Sequence, residues 1–183
     1  MTEADFLTTA LAVPANRAIV ERLPELGAPQ ALLTAGCLFQ PVWNAAGGQP
    51  LDHAIRDHDL FYWDPDLSEA AEAQMIERAE RLFADLGVTV EVRNQARVHL
   101  WYERHFGAPC PPLPSAWAGV DRFLMPCCCV AVGADGRLYA PYGLSDLAAG
   151  VLRPNPVNVQ PALFAAKAAR YRERWPWLTV LSP

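Results

Sequence analysis

Ile55-Arg56-Asp57-His58-Asp59-Leu60-Phe61-Tyr62-Trp63 decides how this chain is read, because it sets two carboxylates two residues apart inside a β-prone apolar run. Alternate side chains of a strand share a face, so Asp57 and Asp59 are expected to project together. Like charges held that close repel unless a cation sits between them, and a hard divalent ion such as Mg²⁺ or Mn²⁺ takes oxygen ligands of this kind. An isolated pair with this spacing equally describes a strand end whose acids face water, so the flanking sequence has to discriminate. His58 alternates to the opposite face and reads as a packing or edge histidine.

Downstream, Asp64-Pro65-Asp66 and Ser68 form a turn and a helix N-cap. Met75, Ile76, Ala79, Leu82, Phe83 and Leu86 then recur at helical spacing, and Gly87 ends the helix. Val88-Thr89-Val90-Glu91-Val92-Arg93 alternates strictly, with Thr89, Glu91 and Arg93 on one face. Strand, helix and strand of these lengths make a βαβ-like unit, or a split one, with both strands in one sheet, so Glu91 is expected beside Asp57 and Asp59 as a third acid. Upstream, Ala31 to Ala35 leads into Gly36-Cys37-Leu38 and a helical pattern that stops at Gly47-Gly48. A small residue at the mouth of a helix lets a phosphate approach the free N–H groups there; it equally permits a tight packing contact.

Ala4 to Ala12 and Pro14 to Leu23 read as two N-terminal helices, the second with Pro at its first position. Asn94 to Glu103 is expected as a helix, Pro109 to Pro114 as a loop, and Cys127–Val132 with Arg137–Tyr142 as a hairpin about a glycine turn. Leu144 to Ala149 reads as a short helix and Val151 to Pro156 as a loop. The last helix, Pro161 to Trp175, turns Leu163, Phe164, Ala168 and Tyr171 inward and Lys167, Arg170, Arg172 and Arg174 largely outward.

The 183 residues, 52% hydrophobic and 19% charged, suffice for one sizeable core, and a net charge of -5 argues against a broad nucleic-acid surface. One domain over 1–183 is expected, with a core over about 31–142, helices 4–23 and a C-terminal helical segment 144–175 packed on it. Five cysteines, three of them consecutive at Cys127 to Cys129, have neither disulfide-framework nor CxxC spacing and suit a reducing cytosol. The longest apolar run, Phe123 to Gly133, is too short to span a bilayer. A cytoplasmic protein without membrane contact is expected.

Ala35-Gly36, Val42-Trp43, Asp57-His58-Asp59 with Phe61-Tyr62-Trp63-Asp64, Glu91 through His99, Ala140-Pro141-Tyr142-Gly143-Leu144-Ser145-Asp146-Leu147, Arg153-Pro154-Asn155-Pro156 and Trp175-Pro176 follow one another in a way that resembles a bacterial nucleotidyltransferase-like family. That family is a branch of the polymerase-β-like nucleotidyltransferase superfamily, and the resemblance runs from about Leu32 to Val180. It implies an α/β (α+β) fold, a mixed β-sheet flanked by helices, with a small C-terminal helical lobe. It also implies a metal-dependent enzyme that moves a nucleoside monophosphate from a nucleoside triphosphate to an acceptor hydroxyl on a small molecule, a protein or an RNA end. By the same resemblance Gly36 with Cys37 would hold phosphates, and Asp57, Asp59 and Glu91 would be the metal-binding and catalytic acids. Cys37 stands where the family has Ser or Gly.

Arg56, Arg93 and Arg97 lie near the acids in sequence and suit triphosphate charge, although arginine beside carboxylates also makes plain structural ion pairs. Asn94-Gln95 suits either a base or sugar contact or a cap on the turn leaving the Glu91 strand. Lys167 and Arg170 suit substrate phosphates or a solvated helix face. Two other functions fit parts of the pattern. One is a nucleotide- or partner-binding module that keeps the acids without turnover. The other is a zinc hydrolase, since His53-Ala54-Ile55-Arg56-Asp57-His58 resembles an HxHxDH motif except at Ile55, where zinc would need an imidazole.

Overall fold

The structure, a computed structural model, describes residues 1–181; Ser182 and Pro183, which the expected domain includes, lie outside the described residues. Helix α1 (Glu3–Ala10) opens on a reciprocal cap in which the Thr2 hydroxyl accepts from the Asp5 N–H and the Asp5 carboxylate accepts from the Thr2 N–H. Helix α2 (Pro14–Leu26) starts on proline and ends at left-handed Gly27. Strand β1 (Leu32–Thr34) is wholly buried and runs into α3 (Gly36–Ala46). Strand β2 (His58–Tyr62), helix α4 (Glu69–Phe83) and strand β3 (Val90–Asn94) follow. Next come α5 (Tyr102–Phe106), α6 (Ala116–Asp121), β4 (Ala131–Gly133), β5 (Leu138–Tyr139), α7 (Ser145–Ala149), β6 (Val151–Leu152), α8 (Pro161–Arg174) and β7 (Thr179–Val180).

Five strands form one mixed sheet in the order β3-β2-β1-β4-β5. β2 and β3 are parallel neighbours joined through α4, and the other pairings are antiparallel. The alternation of β2 divides its two faces. Leu60 and Tyr62 join Leu33, Val92 and Val132 in a core with residues of α1 to α4. Phe61 joins Leu32, Ala116, Val120 and Ala131 on the other face, the face that also carries Asp59. No helix among the described residues is long and apolar enough to cross a membrane.

Helix α3 is buried from Cys37 to Asn44, and it contains Pro41, which has no N–H to offer the Cys37 carbonyl. Asn16, fully buried on α2, fills that gap: its Nδ2 donates to the Cys37 carbonyl at 2.6 Å and to the Ala10 carbonyl at 2.8 Å. A fully buried asparagine one turn from the other end of α3 organises more. Asn44 Nδ2 donates to the carbonyls of Leu51 and His53, both at 2.9 Å, and its Oδ1 accepts from the Trp175 indole at 2.8 Å. Trp175 stacks edge-on against Trp43 with ring centroids 5.2 Å apart, and Tyr171 of α8 lies 5.3 Å from Trp43.

Four expectations shift. The β3 strand begins at Val90 rather than Val88 and extends to Asn94. The Asn94–Glu103 segment is not one helix: the Asn94 side chain accepts from the Ala96 N–H and starts a 3₁₀ run, Gln95–Leu100, before the short α5. The same side chain accepts from Asp64 N–H and donates to the carbonyls of Asp64 and Asp66, so Asn94 caps and braces the turn after β2. The hairpin is shorter than expected because Pro126–Cys128 forms a 3₁₀ turn, leaving Ala131↔Tyr139 and Val132↔Leu138 as its pairs. Val151–Pro156 is not all loop, since Val151 and Leu152 pair in parallel with Thr179 and Val180.

Asn44→Ala should cost about 2–4 kcal/mol, because it removes the donor to two part-buried carbonyls and orphans a buried indole N–H together. Trp175→Phe, which leaves only the Asn44 Oδ1 without a donor, should cost about 1–3 kcal/mol. Urea unfolding of the two variants checks the order; equal losses would mean that packing at Trp175 dominates.

Candidate active site

Strand register sets the centre of the site. Asp59 on β2 pairs with Thr34 on β1 and with Glu91 on β3. One strand away on the first side, the chain leaves Thr34 and enters α3 through Ala35 and Gly36. One strand away on the other, Glu91 stands on the same sheet face, because parallel partners in register point alike. Asp57 precedes β2 by one residue, at the end of the loop that Asn44 holds.

The entry to α3 is strained. Ala35 has φ 65° and ψ −143°, a conformation that belongs almost wholly to glycine. This geometry lets the chain turn sharply from β1 into the first turn of α3, where the N–H groups of Gly36 and Cys37 have no acceptor within the helix and Gly36 borders the site. A Cβ added at Gly36 would come within 2.4 Å of the Gln40 amide nitrogen, so the Gln40 side chain already lies across the helix mouth.

A cleft of about 280 Å³ opens here, lined by Ala35, Gly36, Gln40, Asp57 and Asp59 on one side. Arg56, Lys167, Arg170 and Arg174 line it from the others. Among the described residues none of these four cations is in an ion pair. The spacing of Lys167, Arg170 and Arg174 puts them along one stripe of α8, beside the buried stripe of Phe164, Ala168 and Tyr171. Phe123 and Leu124 close the remaining side. Asn155 fixes that segment, donating to the carbonyls of Asp121 and Phe123, both at 2.7 Å.

Several expected site residues therefore meet and others do not. Gly36, Arg56, Asp57, Asp59 and Lys167 share the cleft, while Glu91 and Arg93 line a neighbouring cavity that Asp59 also borders. Cys37 is in the helix mouth by its backbone alone. Its side chain is fully buried, and the thiol donates to the Thr34 carbonyl at 3.2 Å. Arg97 lines neither cavity. Its guanidinium is ion-paired with Glu72 and donates through Nε to the Leu67 carbonyl at 3.0 Å, which makes it a brace between the 3₁₀ run and α4. Glu72 is itself held by the Asn94 N–H at 2.9 Å. Sequence reasoning missed Ala35, Gln40 and the Phe123–Leu124 wall, left Arg170 open between substrate phosphates and a solvated face, and gave Arg174 only an outward direction. His58 is buried on the opposite sheet face, away from Asp59, so the histidines of the zinc-like motif do not converge.

Burial raises the Asp59 carboxyl to about 7, and the nearby charges of Asp57 and Glu91 add to the rise. Such an acid carries charge that a bound cation would relieve. No three His, Cys, Asp or Glu groups among the described residues are gathered closely enough to hold a metal alone. Glu91 is drawn instead toward Arg93, at 3.4 Å. Mg²⁺, however, is commonly held by one or two carboxylates completed by substrate phosphates and water, and Asp57 with Asp59 fits that donor set.

Two predictions follow from strain and charge. Asp59 keeps its proton to about pH 7 in the folded chain against an ordinary value of 3.8, so stability should fall as pH rises from about 4 to about 7. Asp59→Asn should flatten that fall and, without divalent ions, raise stability at pH 8 by roughly 1–3 kcal/mol; thermal melts across pH check it. Ala35→Gly should stabilise by about 1 kcal/mol, strain relief outweighing the added freedom of the unfolded chain. A loss of stability would show that the turn at Ala35 is not strained.

With this geometry in view, comparison with known proteins is informative. A family model described as nucleotidyltransferase matches residues 21–180. No curated protein matches the chain. Among solved structures, one described as the NMR structure of a protein that reveals a CCA-adding enzyme head domain is similar over 100% of this chain and 97% of its own, with 23% identity and a TM-score of 0.77. A CCA-adding enzyme in complex with CTP is similar at 13% identity and TM-score 0.60, covering 100% of this chain and 44% of its own. The Thermotoga maritima CCA-adding enzyme complexed with tRNA is similar at 14% identity and TM-score 0.58, covering 100% and 43%. This chain thus spans less than half the length of those two enzymes. The likeness establishes the fold, that of the head-domain structure, with a mixed sheet flanked by helices, and the family match extends over most of the sequence: the chain belongs to a nucleotidyltransferase family.

Proposed function

We propose that the protein transfers a nucleoside monophosphate from a nucleoside triphosphate to an acceptor hydroxyl, with Mg²⁺ or Mn²⁺ as cofactor. The observation that carries this reading is the position of Asp59, an acid raised to about 7 between a helix mouth and Glu91 and faced by four cations without acid partners.

In this reading the β- and γ-phosphates lie against the backbone N–H groups of Gly36 and Cys37, and Arg56, Lys167, Arg170 and Arg174 balance their charge. Asp57 and Asp59 would hold the divalent ion, which supplies charge neutralisation at the α-phosphate and the leaving pyrophosphate. Glu91 accepts the proton of the attacking hydroxyl, and Arg93, its ion-pair partner, fixes the direction of that carboxylate. The acceptor oxygen bonds to the α-phosphorus as the bond from that phosphorus to the bridging oxygen breaks. The electron pair leaves with pyrophosphate.

Pyrophosphate release from each of the four nucleoside triphosphates with Mn²⁺ separates an enzyme from a binding module, which would bind and release nothing. Asp57→Asn and Asp59→Asn should each lower release by on the order of 100-fold or more while melting no lower than the parent without metal. Gly36→Val, whose side chain would displace the Gln40 amide and fill the phosphate space, should weaken triphosphate binding and leave the fold intact. Undiminished release in both aspartate variants would end the assignment.

A further inference from the structure

Across Asp59 from the small cleft lies a larger cavity of about 960 Å³. The two meet along Ala35, Asp59, Phe123, Leu124, Lys167 and Arg170. Asp57 and Gly36 border only the first, and Glu91 and Arg93 only the second. We infer that this second cavity is the acceptor site and that it takes a small hydroxylated aromatic molecule bearing an anionic group; the inference rests on the transfer reaction proposed above.

The geometry of displacement argues for it. An in-line attack needs the nucleophile and the leaving group on opposite sides of the α-phosphorus. With pyrophosphate in the cation-lined cleft and the α-phosphate at Asp59, the open side is the second cavity, where Glu91 waits for the proton. The acceptor oxygen forms its bond to phosphorus as the bond to the bridging oxygen breaks, its proton passes to Glu91, and pyrophosphate carries away the electron pair.

The wall chemistry argues for the ligand class. Phe61, Trp101, Tyr102 and Phe106 present aromatic surface, with the Tyr102 and Phe106 rings 4.6 Å apart and those of Trp101 and Phe106 6.2 Å apart. Such a wall suits a planar apolar body. Arg122 and Arg170 add positive charge; Arg122 spends one N–H on the Val157 carbonyl at 3.2 Å and keeps the rest of its fork. That is chemistry for a carboxylate, sulfonate or phosphate on the ligand. A cavity of this volume matches pockets that enclose small molecules, usually about 300–1,000 Å³. A polynucleotide acceptor would favour a longer basic track, which a chain of net charge -5 does not suggest.

Ala166 permits a test that spares the core. It is exposed on α8 and borders the second cavity alone, so Ala166→Trp fills acceptor space from the rim. Anilinonaphthalene sulfonate, an aromatic anion, serves as the probe. The parent should bind it, and Ala166→Trp and Arg122→Gln should each weaken binding roughly tenfold or more. Thermal stabilisation by Mn²⁺ with ATP should persist in Ala166→Trp. Circular dichroism checks folding, and Arg122→Gln decides alone if the tryptophan variant does not fold. Unchanged probe binding in the folded variants overturns the proposal. So does a tryptophan variant stabilised by Mn²⁺ with tripolyphosphate but not with ATP, because the nucleoside would then own the cavity. A single-stranded RNA oligonucleotide that displaces the probe from the parent and is extended from labelled triphosphate also overturns it, in favour of a polynucleotide acceptor. Transfer of label to 4-hydroxyphenylacetate, lost in Ala166→Trp, supports it. If ATP with Mn²⁺ does not stabilise even the parent, the transfer reading fails; loss of probe binding in the variants would still support an aromatic-anion site.

Discussion

One buried amide holds the parts of the site in relation to one another. Asn44 sits near the end of α3, the helix whose other end is the Gly36 mouth. Its two amide hydrogens fix the Leu51 and His53 carbonyls in the loop that delivers Arg56 and Asp57, and its oxygen holds the Trp175 indole just beyond α8, the helix that carries Lys167, Arg170 and Arg174. Helix mouth, acid-bearing loop and cation-bearing helix therefore share a single side chain. Each bond has a modest net value, but the Asn44 amide and the Trp175 indole are buried and their polar groups depend on these partners, so the arrangement favours one geometry over neighbouring ones. The pairing of Asn16 with the carbonyl that Pro41 leaves free does similar work at the other end of α3.

The charges around Asp59 are unbalanced in both directions. Burial, with the nearby charges of Asp57 and Glu91, holds the Asp59 proton on to about pH 7, and on the facing side Arg56, Lys167, Arg170 and Arg174 have no acid partners among the described residues. Other cations are paired, Arg22 with Asp85, Arg97 with Glu72 and Arg153 with Asp146, and among the described residues some, such as Arg17 and Arg104, are not; what sets these four apart is that they line one cleft with Asp57 and Asp59. Acids left facing acids and cations left facing cations cost stability that any ordinary surface would recover by pairing them. A triphosphate with a divalent ion carries both signs in the right order, which is why the imbalance reads as preparation for that ligand.

What was legible in the sequence was what periodicity controls. The alternation of β2 and β3 and the helix between them put Asp59 and Glu91 in one sheet, while their adjacency and register, Asp59↔Glu91, came from the structure. What was not legible depends on contacts remote in sequence. Arg97 looked like one more cation near the acids, and its partner Glu72 comes from the preceding helix. Cys37 lies in a first turn where hydrophobic pattern does not say which way a small side chain faces; it turned inward to the Thr34 carbonyl. The two-residue strands β6 and β7 are too short to carry a period. On α8 the pattern gave the buried stripe correctly and left the cations facing outward. Outward there means the cleft, and amphipathicity cannot distinguish a solvated face from a solvated site.

The larger CCA-adding enzymes to which this fold is similar extend over more than twice its length, and within this chain the walls of the site come from its own later elements. Two late segments supply them. Tyr102 of α5 accepts a hydrogen bond at 3.0 Å from Gln160, which precedes α8, and Asn158 donates to the Arg122 carbonyl beside the Phe123–Leu124 wall. The aromatic wall, the dividing wall and the cation-bearing helix are thus tied by neutral hydrogen bonds that salt does not screen. Raising ionic strength weakens the attraction of the four cations for a phosphate while leaving the second cavity's framework in place. In the proposed reaction the two tasks would be separated physically: charge would gather the nucleotide on one side of Asp59, and shape would select what it reacts with on the other.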